Sequence, residues 1–444
     1  MKKVAFYTLG CRLNFSETSA MRRDFEGRSY MVTDFEDKAD IYVINTCSVT
    51  QDANKDCRKV VRRALRNNPN AYVAVTGCYA QLEPQEIAQI EGVSLVLGAK
   101  DKFNIFELVE NFEKTSEPII HHTDVNEAVD FHHAFSSGDR TRAFLKVQDG
   151  CDYKCSFCTI PLARGESRSP QISEVLTNAR KAVAEGFKEI VVTGVNAGDF
   201  GKQYNQSFLE LLMALDEIKE IERIRVSSIE PNLLNDDIIR YVATSRAIQP
   251  HFHMPLQSGS DEMLKIMRRR YKSGLYRERV SLIKSLIPHA CIGVDVITGH
   301  PGETEALFRE SMEFIDSLPV SYLHVFTYSE RPNTHALSIQ PVIPIPERKK
   351  RTSILRRLSA KKRFEFSQNF AGSVRKVLFE EEERDGFIQG WTDNYIRVSI
   401  PYSEKLSNQI VDCKLHEMDK DCVFSAGVIS VNDVVNTNSL AVYA

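Results

Sequence analysis

Three cysteines, Cys151, Cys155 and Cys158, lie close together in the stretch QDGCDYKCSFCTIPLARGESR, which runs from Gln148 to Arg168. The C-x3-C-x2-C spacing puts three soft thiolates on one short loop, a donor set suited to iron or an iron–sulfur cluster. A tetrahedral four-thiolate zinc site needs a further ligand nearby, and no other cysteine is adjacent. Three ligands on a four-iron cluster leave one iron open to a substrate or cofactor, which makes the loop a reagent site rather than a staple. Tyr153 and Phe157 are placed to shield it from water. Scattered core cysteines are the plain alternative, but aspartate, lysine and glycine between these three do not make a core pattern.

With 444 residues the chain can bury more than one hydrophobic core, so two or three domains are expected. The net charge of −3 excludes a wholly basic surface but leaves room for basic patches. Ten cysteines are too few for a disulfide scaffold. The start MKKVAFYTLG lacks the apolar run of a signal peptide. No stretch reaches the roughly 18 apolar residues of a membrane span. A reducing cytoplasm is the expected setting for cysteines that hold metal, with no membrane partner.

Residues 1–115 alternate short apolar runs with helical patterns, which predicts an open parallel sheet flanked by helices. Strands are expected over 2–9, 39–45, 71–76 and 94–98, with helices over 16–25, capped by Ser16, and 53–67. Cys11, Cys47 and Cys78 each follow the carboxyl end of a predicted strand, the edge at which open sheets bind ligands. The three can converge there as a second set of thiolates. Separate core cysteines are the alternative, although positions after Gly10 and Gly77 are loop positions. Cys57 falls inside a basic helix, and a structural or solvent-facing role is expected for it. That helix carries Lys55, Arg58, Lys59, Arg62, Arg63 and Arg66 on a broad face, either solvated or facing RNA. Residues 113–140, with two histidine pairs and no periodicity, read as a linker.

Residues 138–366 show about six strand–loop–helix units whose strand-end loops bear polar residues. A (β/α)6-type partial barrel is expected, with an open side that admits a large substrate. Residues 346–376 hold eleven Lys or Arg against two Glu, which suits either a solvated connecting helix or contact with a phosphate backbone. Residues 370–440 turn to short alternating runs, the pattern of a small antiparallel β-barrel. Such barrels often hold single-stranded nucleic acid on aromatic and basic groups. Trp391 and Tyr395 are the exposed candidates, with Arg375, Lys376 and Arg397 for phosphates; packing inside the barrel is the alternative for Trp391. Cys413 and Cys422 are expected to be structural.

The C-x3-C-x2-C loop with Phe157 before its last cysteine resembles the defining loop of the radical S-adenosylmethionine enzymes. Taken with the GC…NTC…GC set at Cys11, Cys47 and Cys78, and with PLQSGSDEMLKIMRRRY, DVITGHPGETE and HVFTYSERPNT, nearly the whole chain resembles their methylthiotransferase family. The C-terminal domain is similar to that family's TRAM domain. The resemblance implies two four-iron–four-sulfur (4Fe-4S) clusters, one on Cys151, Cys155 and Cys158, the other, auxiliary, on Cys11, Cys47 and Cys78. It implies that S-adenosyl-L-methionine binds the first and is split to a 5'-deoxyadenosyl radical. The radical abstracts hydrogen from C2 of an adenine, and the auxiliary site presents a sulfur species that forms the 2-methylthio product. An unactivated aromatic C–H bond offers ordinary acid–base chemistry no foothold, in keeping with a cofactor radical.

The family's substrates are N6-threonylcarbamoyladenosine or isopentenyladenosine at position 37, next to the anticodon of tRNA, and an aspartate of a ribosomal protein. TLGCRLNFSET, the tract Met267–Tyr271 and the basic helix after Cys47 are most similar to the threonylcarbamoyladenosine branch. The resemblance further implies a sulfur source and an electron donor such as flavodoxin or ferredoxin. Cofactor contacts are expected from Gly194, Asn196, Glu230, Gln257 with Ser258, and Asp295, and from Arg164 to the cofactor carboxylate or a phosphate. RNA contacts are expected from Arg62, Arg63, Arg268, Arg269 and Arg270. His300 stands where phenylalanine is common, and Asn333 where glycine is common.

Overall fold

The computed structural model describes residues 1–47, 51–109, 111–136 and 141–429. The expected starting segment 138–140 of the second domain and the end of the β domain, 430–440, lie outside the described residues.

The first unit is built on β1 (Lys3–Thr8), β2 (Met31–Thr33), β3 (Ile41–Thr46), β4 (Tyr72–Gly77), β5 (Leu95–Leu97) and β6 (Ile119–His121). They form one sheet in the order β2-β1-β3-β4-β5-β6, with every pair parallel. β3 and β4 are buried along their whole length, as apolar strands covered on both faces must be. β2 and β6 were not expected. β6 falls in the supposed linker, where IIH is too short to show a period. Helix α1 spans Arg12–Gly27, and α2 spans Gln51–Asn67. α1 begins four residues before the expected start. Gly10 turns the chain at once and Cys11 takes the cap position, so Ser16 is buried inside the helix with its hydroxyl on the Leu13 carbonyl (2.8 Å). The short helix α3 (Cys78–Leu82) starts directly at the third cysteine.

The second unit has β7 (Arg142–Lys146), β8 (Glu189–Thr193) and β9 (Arg223–Val226) in one parallel sheet, and β10 (His251–Gln257), β11 (Cys291–Thr298) and β12 (Tyr322–Thr327) in another. Parallel bridges Ile224–Ile248 and Ser228–His253 link the two, giving an arc of six strands around one apolar core. The helix Ile345–Gln368 then packs along β12. Its basic character is partly internal, a correction to the expected phosphate-binding face. Arg351 pairs with Glu303 (2.8 Å), Arg348 donates to the Ile343 carbonyl (2.6 Å), and Lys362 donates to the Leu318 carbonyl (2.8 Å). All three are buried.

The third unit comprises β13 (Val374–Arg384), β14 (Phe387–Thr392), β15 (Arg397–Pro401), β16 (Ile410–Met418) and β17 (Val423–Val428), closed as a barrel in the order β13-β14-β15-β17-β16. Four of its pairings are antiparallel, and β15 with β17 is parallel, so the barrel is not purely antiparallel as expected. It docks on β9. Arg223 donates to the Trp391 and Lys376 carbonyls (3.0 and 2.7 Å), and Arg225, paired with Glu189, donates to those of Asp393 and Thr392. Tyr395 is stacked between Trp391 (4.5 Å) and His251 (4.2 Å). These two aromatics therefore belong to the joint between domains rather than to an open RNA platform.

Candidate functional site

The backbone fixes the loop after β7. Gly150 has φ +69°, and a Cβ there would lie 1.9 Å from the Glu166 carbonyl, so the turn into Cys151 requires glycine. Cys151 N–H then bonds the Gly165 carbonyl (3.0 Å). Gln148 braces the turn from within, donating to the Asp149 and Gly150 carbonyls (2.9 and 2.8 Å) and accepting from the Asn196 N–H (2.8 Å). Each of the three sulfurs accepts one N–H. Tyr153 donates to Cys151 (3.4 Å), Ile160 to Cys158 (3.4 Å) and the Arg269 guanidinium to Cys155 (3.0 Å). Burial pushes the Cys151 and Cys158 thiols up to about 12.

The second set stands at the carboxyl ends of β1, β3 and β4. A Cβ on Gly10 (φ +114°) would lie 2.6 Å from Cys47 Cβ, so only glycine lets the loop before Cys11 pass Cys47 this closely. Cys11 and Cys78 are within electrostatic reach of each other. Asn14 fastens this edge, donating to the Leu9 and Thr46 carbonyls (2.9 and 3.0 Å) while its Oδ1 lies 3.5 Å from Cys11 Sγ.

The two sets share a buried electrostatic core. Glu17 on α1 pairs with Lys102 (2.7 Å), Lys146 (3.2 Å) and Arg164 (2.9 Å). Asp149, two residues before Cys151, pairs with Lys146 (2.7 Å), Arg164 (2.9 Å) and Arg168 (3.2 Å). Four cations face two carboxylates, so the core carries excess positive charge, and Arg164 lies within electrostatic reach of both Cys11 and Cys78. Burial raises the Cys11 thiol, and Arg164 acts against that rise. Arg164 also donates to Asn14 Oδ1 (2.7 Å). Its guanidinium is committed to this core, which corrects its expected role at the cofactor carboxylate.

Beside the cysteine loop lies a cavity of about 250 Å³, lined among others by Phe157, Cys158, Gln257, Asp295 and Tyr328. Thr159 and Arg331 line both it and a second cavity of about 340 Å³, whose far wall is Lys55 and Arg58 of α2 and Leu82 of α3. Arg331 is within electrostatic reach of Cys47. Cys158 of the first set thus lines one cavity, and Arg331, shared by both, links them to Cys47 of the second. Buried Asn196 Oδ1 and Gln257 Oε1 have no hydrogen-bond partner among the described residues, and Gln257 lines the cavity with Cys158, groups that fit a polar cofactor beside a thiolate-held iron–sulfur cluster. Gly194 packs against Gln148 behind the loop, a Cβ there lying 3.0 Å from its Oε1. Ser258 is buried. Asp295 meets His253 Nε2 at 2.9 Å, and the other nitrogen of His253 meets Ser228 (2.8 Å), so the carboxylate reaches the cavity already bonded.

Several expected RNA contacts are placed elsewhere. Arg269 is turned inward onto Cys155 and Glu230, which also takes Glu230 from a free cofactor contact into an ion pair. Arg270 lies over the Tyr153 ring (3.9 Å). Arg63 pairs with Glu36 and covers the rings of Tyr7 and Phe35. Arg375 pairs with Asp393 (3.5 Å), and Arg397 with Gln389 against Trp391. Arg62, Arg268, Arg270 and Lys376 are exposed. Arg62 borders an open groove of about 1000 Å³ with Arg58, Lys59, Arg66 and Lys114. Sequence reasoning missed Glu17, Gln148 and Arg331. All three lie inside quoted motifs, Glu17 in TLGCRLNFSET, Gln148 in QDGCDYKCSFCTIPLARGESR and Arg331 in HVFTYSERPNT, so the motifs were the signal. Cys57 is buried in the core.

Comparison with known proteins fits this geometry. Residues 3–98 match a family model described as Uncharacterized protein family UPF0004, and residues 145–315 match the Radical SAM superfamily. The chain is 40% identical over 428 residues to Threonylcarbamoyladenosine tRNA methylthiotransferase MtaB of Bacillus subtilis, covering 94% of each. It is 32% identical to tRNA-2-methylthio-N(6)-dimethylallyladenosine synthase of Wolinella succinogenes, covering 94% of this chain and 97% of that one. In fold it is similar to the radical S-adenosylmethionine methyltransferase TsrM of Kitasatospora setae, at a TM-score of 0.58 and 12% identity over 76% of this chain and 77% of that one.

Proposed function

The chain belongs to the methylthiotransferase family of radical S-adenosylmethionine enzymes, and on that premise we propose that it converts N6-threonylcarbamoyladenosine at position 37 of tRNA to its 2-methylthio derivative. The observation that supports the reading is a pair of cavities that share Thr159 and Arg331, the first lined by Cys158 and the second by Arg331, which is within electrostatic reach of Cys47. Cys151, Cys155 and Cys158 would hold one 4Fe-4S cluster, and Cys11, Cys47 and Cys78 the auxiliary one. When bound, these groups supply electron transfer to S-adenosylmethionine and a transferable sulfur, respectively.

The protein's own residues do the positioning. Asn196 and Gln257 offer buried acceptors toward the cofactor, and Phe157, Ile297 and Phe326 exclude water from the first cavity. Arg164 holds the two cysteine loops in one frame through Glu17, Asn14 and Asp149. The groove along α2, the exposed part of the helix Ile345–Gln368 and the TRAM-like barrel with Lys376 would take the tRNA backbone, in a cytoplasmic setting. No helix among the described residues is long and apolar enough to cross a membrane.

Nucleoside mass spectrometry of total tRNA from cells with and without the gene tests the proposal. Loss of 2-methylthio-N6-threonylcarbamoyladenosine, with its unthiolated precursor accumulating, is the expected result. Loss of the dimethylallyl analogue instead keeps the chemistry and changes the substrate, the second reading that the Wolinella relative favours. No change in either nucleoside overturns the tRNA assignment.

A further inference from the structure

The three sulfurs of the loop are not equivalent. Cys151 and Cys158 receive backbone N–H groups, from Tyr153 and Ile160, that no side-chain substitution removes. Cys155 receives a charged side chain, Arg269, at 3.0 Å. That guanidinium is only 4% exposed, and its other terminal nitrogen pairs with Glu230, itself 13% exposed. Its Nε donates to the Tyr271 hydroxyl (3.2 Å), which in turn donates to the Pro255 and Leu256 carbonyls (2.7 and 2.9 Å) at the end of β10. Gln257, next along that strand, lines the cavity beside Cys158. The aim is built into the backbone. Arg268 occupies a left-handed conformation at φ +58°, and the Arg269 N–H closes on the Leu264 carbonyl (2.8 Å), which together turn the side chain inward.

We propose that Arg269 and Glu230 form a paired control on the reduction potential of the cluster carried by Cys151, Cys155 and Cys158, Arg269 raising it and Glu230 lowering it. This rests on the reading of that loop as a cluster site. An N–H donated to a ligating sulfur, and a positive charge in a buried setting, both stabilise the more negative reduced state. A carboxylate fixed on the same guanidinium offsets that charge and acts in the opposite sense. Arg269 is thus a positioning and tuning residue that acts through Cys155. Its link through Tyr271 to β10 ties the tuning to the wall of the cofactor cavity.

The test uses the full-length chain with Cys11, Cys47 and Cys78 replaced by alanine, reconstituted with iron and sulfide so that one cluster is present. The midpoint potential is read by electron paramagnetic resonance during a redox titration without S-adenosylmethionine. Arg269→Gln is expected to shift the potential downward and Glu230→Gln upward. Each shift should correspond to at least a tenfold change in the one-electron equilibrium, about 59 mV. Arg269→Lys, which keeps the charge, should shift less than Arg269→Gln. Opposite signs distinguish tuning from general loosening of the site, which would move both variants the same way. If Arg269→Gln does not hold iron, the upward shift in Glu230→Gln and the smaller downward one in Arg269→Lys carry the test. Shifts of the same sign, or none, overturn the inference while leaving the cluster reading intact. A parent protein that assembles no cluster on the remaining three cysteines overturns both.

Discussion

Arg164 reaches Glu17 at 2.9 Å across the boundary between the first and second units, with both side chains almost wholly buried. One residue lies six positions after Cys158 and the other six after Cys11, so the pair fixes one cysteine loop relative to the other. Breaking a buried ion pair leaves an uncompensated charge, at a cost of about 3–5 kcal/mol. Arg164→Ala should therefore destabilise the protein by about that much in chemical denaturation, and should also impair iron loading at Cys11, Cys47 and Cys78. A loss below about 1 kcal/mol would mean that the network reorganises around the gap.

The joint with the β-barrel should be acid-sensitive. Burial alone would raise the Glu189 carboxyl, but Arg225 and Arg142 overcome it and hold the folded value down at about 2, against 4.5 ordinarily. A depressed carboxyl contributes stability above its unfolded value and loses it as the pH falls through the folded value. The pair should contribute about 3 kcal/mol at neutral pH, lost between about pH 4.5 and 2. Stability curves of the native protein and of Glu189→Gln should converge across that window. Parallel curves would place the acid sensitivity elsewhere.

Much of the fold was legible because strand and helix periods are local signals. Strands β1, β3 and β4, which lead to Cys11, Cys47 and Cys78, and β5 were readable in this way, and so was the loop at Cys151. The three-residue strands β2 and β6 were not, since they are strands only by virtue of their neighbours. The destinations of the arginines were equally hidden. Arg268, Arg269 and Arg270 are adjacent in sequence, yet the first and third are exposed while the middle one is turned inward onto Cys155. A single left-handed residue decides that division, and no charge pattern reveals it.

The departures from the family pattern should be mild. His300 is buried, bonded to Ser156 (3.0 Å) and edge-on to Phe157 at 6.0 Å, and burial lowers its imidazole to about 4, so it is neutral at pH 7. His300→Phe keeps the ring packing and gives up two hydrogen bonds, to Ser156 and to the Pro301 carbonyl, about 2 kcal/mol. Thermal denaturation should show a small fall with iron loading unchanged. Lost iron would make His300 a necessary brace of the cysteine loop. Asn333 has φ +61°, a conformation asparagine tolerates nearly as glycine does, which explains the exchange at that position.

RNA affinity should separate the exposed basic residues from the packed ones. Arg62→Ala and Lys376→Ala should each reduce the slope of log Kd for tRNA against log salt by roughly 1. Arg63→Ala should leave the slope unchanged and lower stability instead, because its guanidinium covers Tyr7 and Phe35. A fall in slope at Arg63 equal to that at Arg62 would contradict this division.

The division of labour between the two cysteine sets is tested most directly by assaying two triple-alanine variants on tRNA with S-adenosylmethionine and reductant. The Cys151, Cys155 and Cys158 variant should form no 5'-deoxyadenosine. The Cys11, Cys47 and Cys78 variant should still form it, carry roughly half the native iron, and yield no methylthio nucleoside. Methylthiolation by the second variant, or 5'-deoxyadenosine from the first, would contradict the assignment of the two sites.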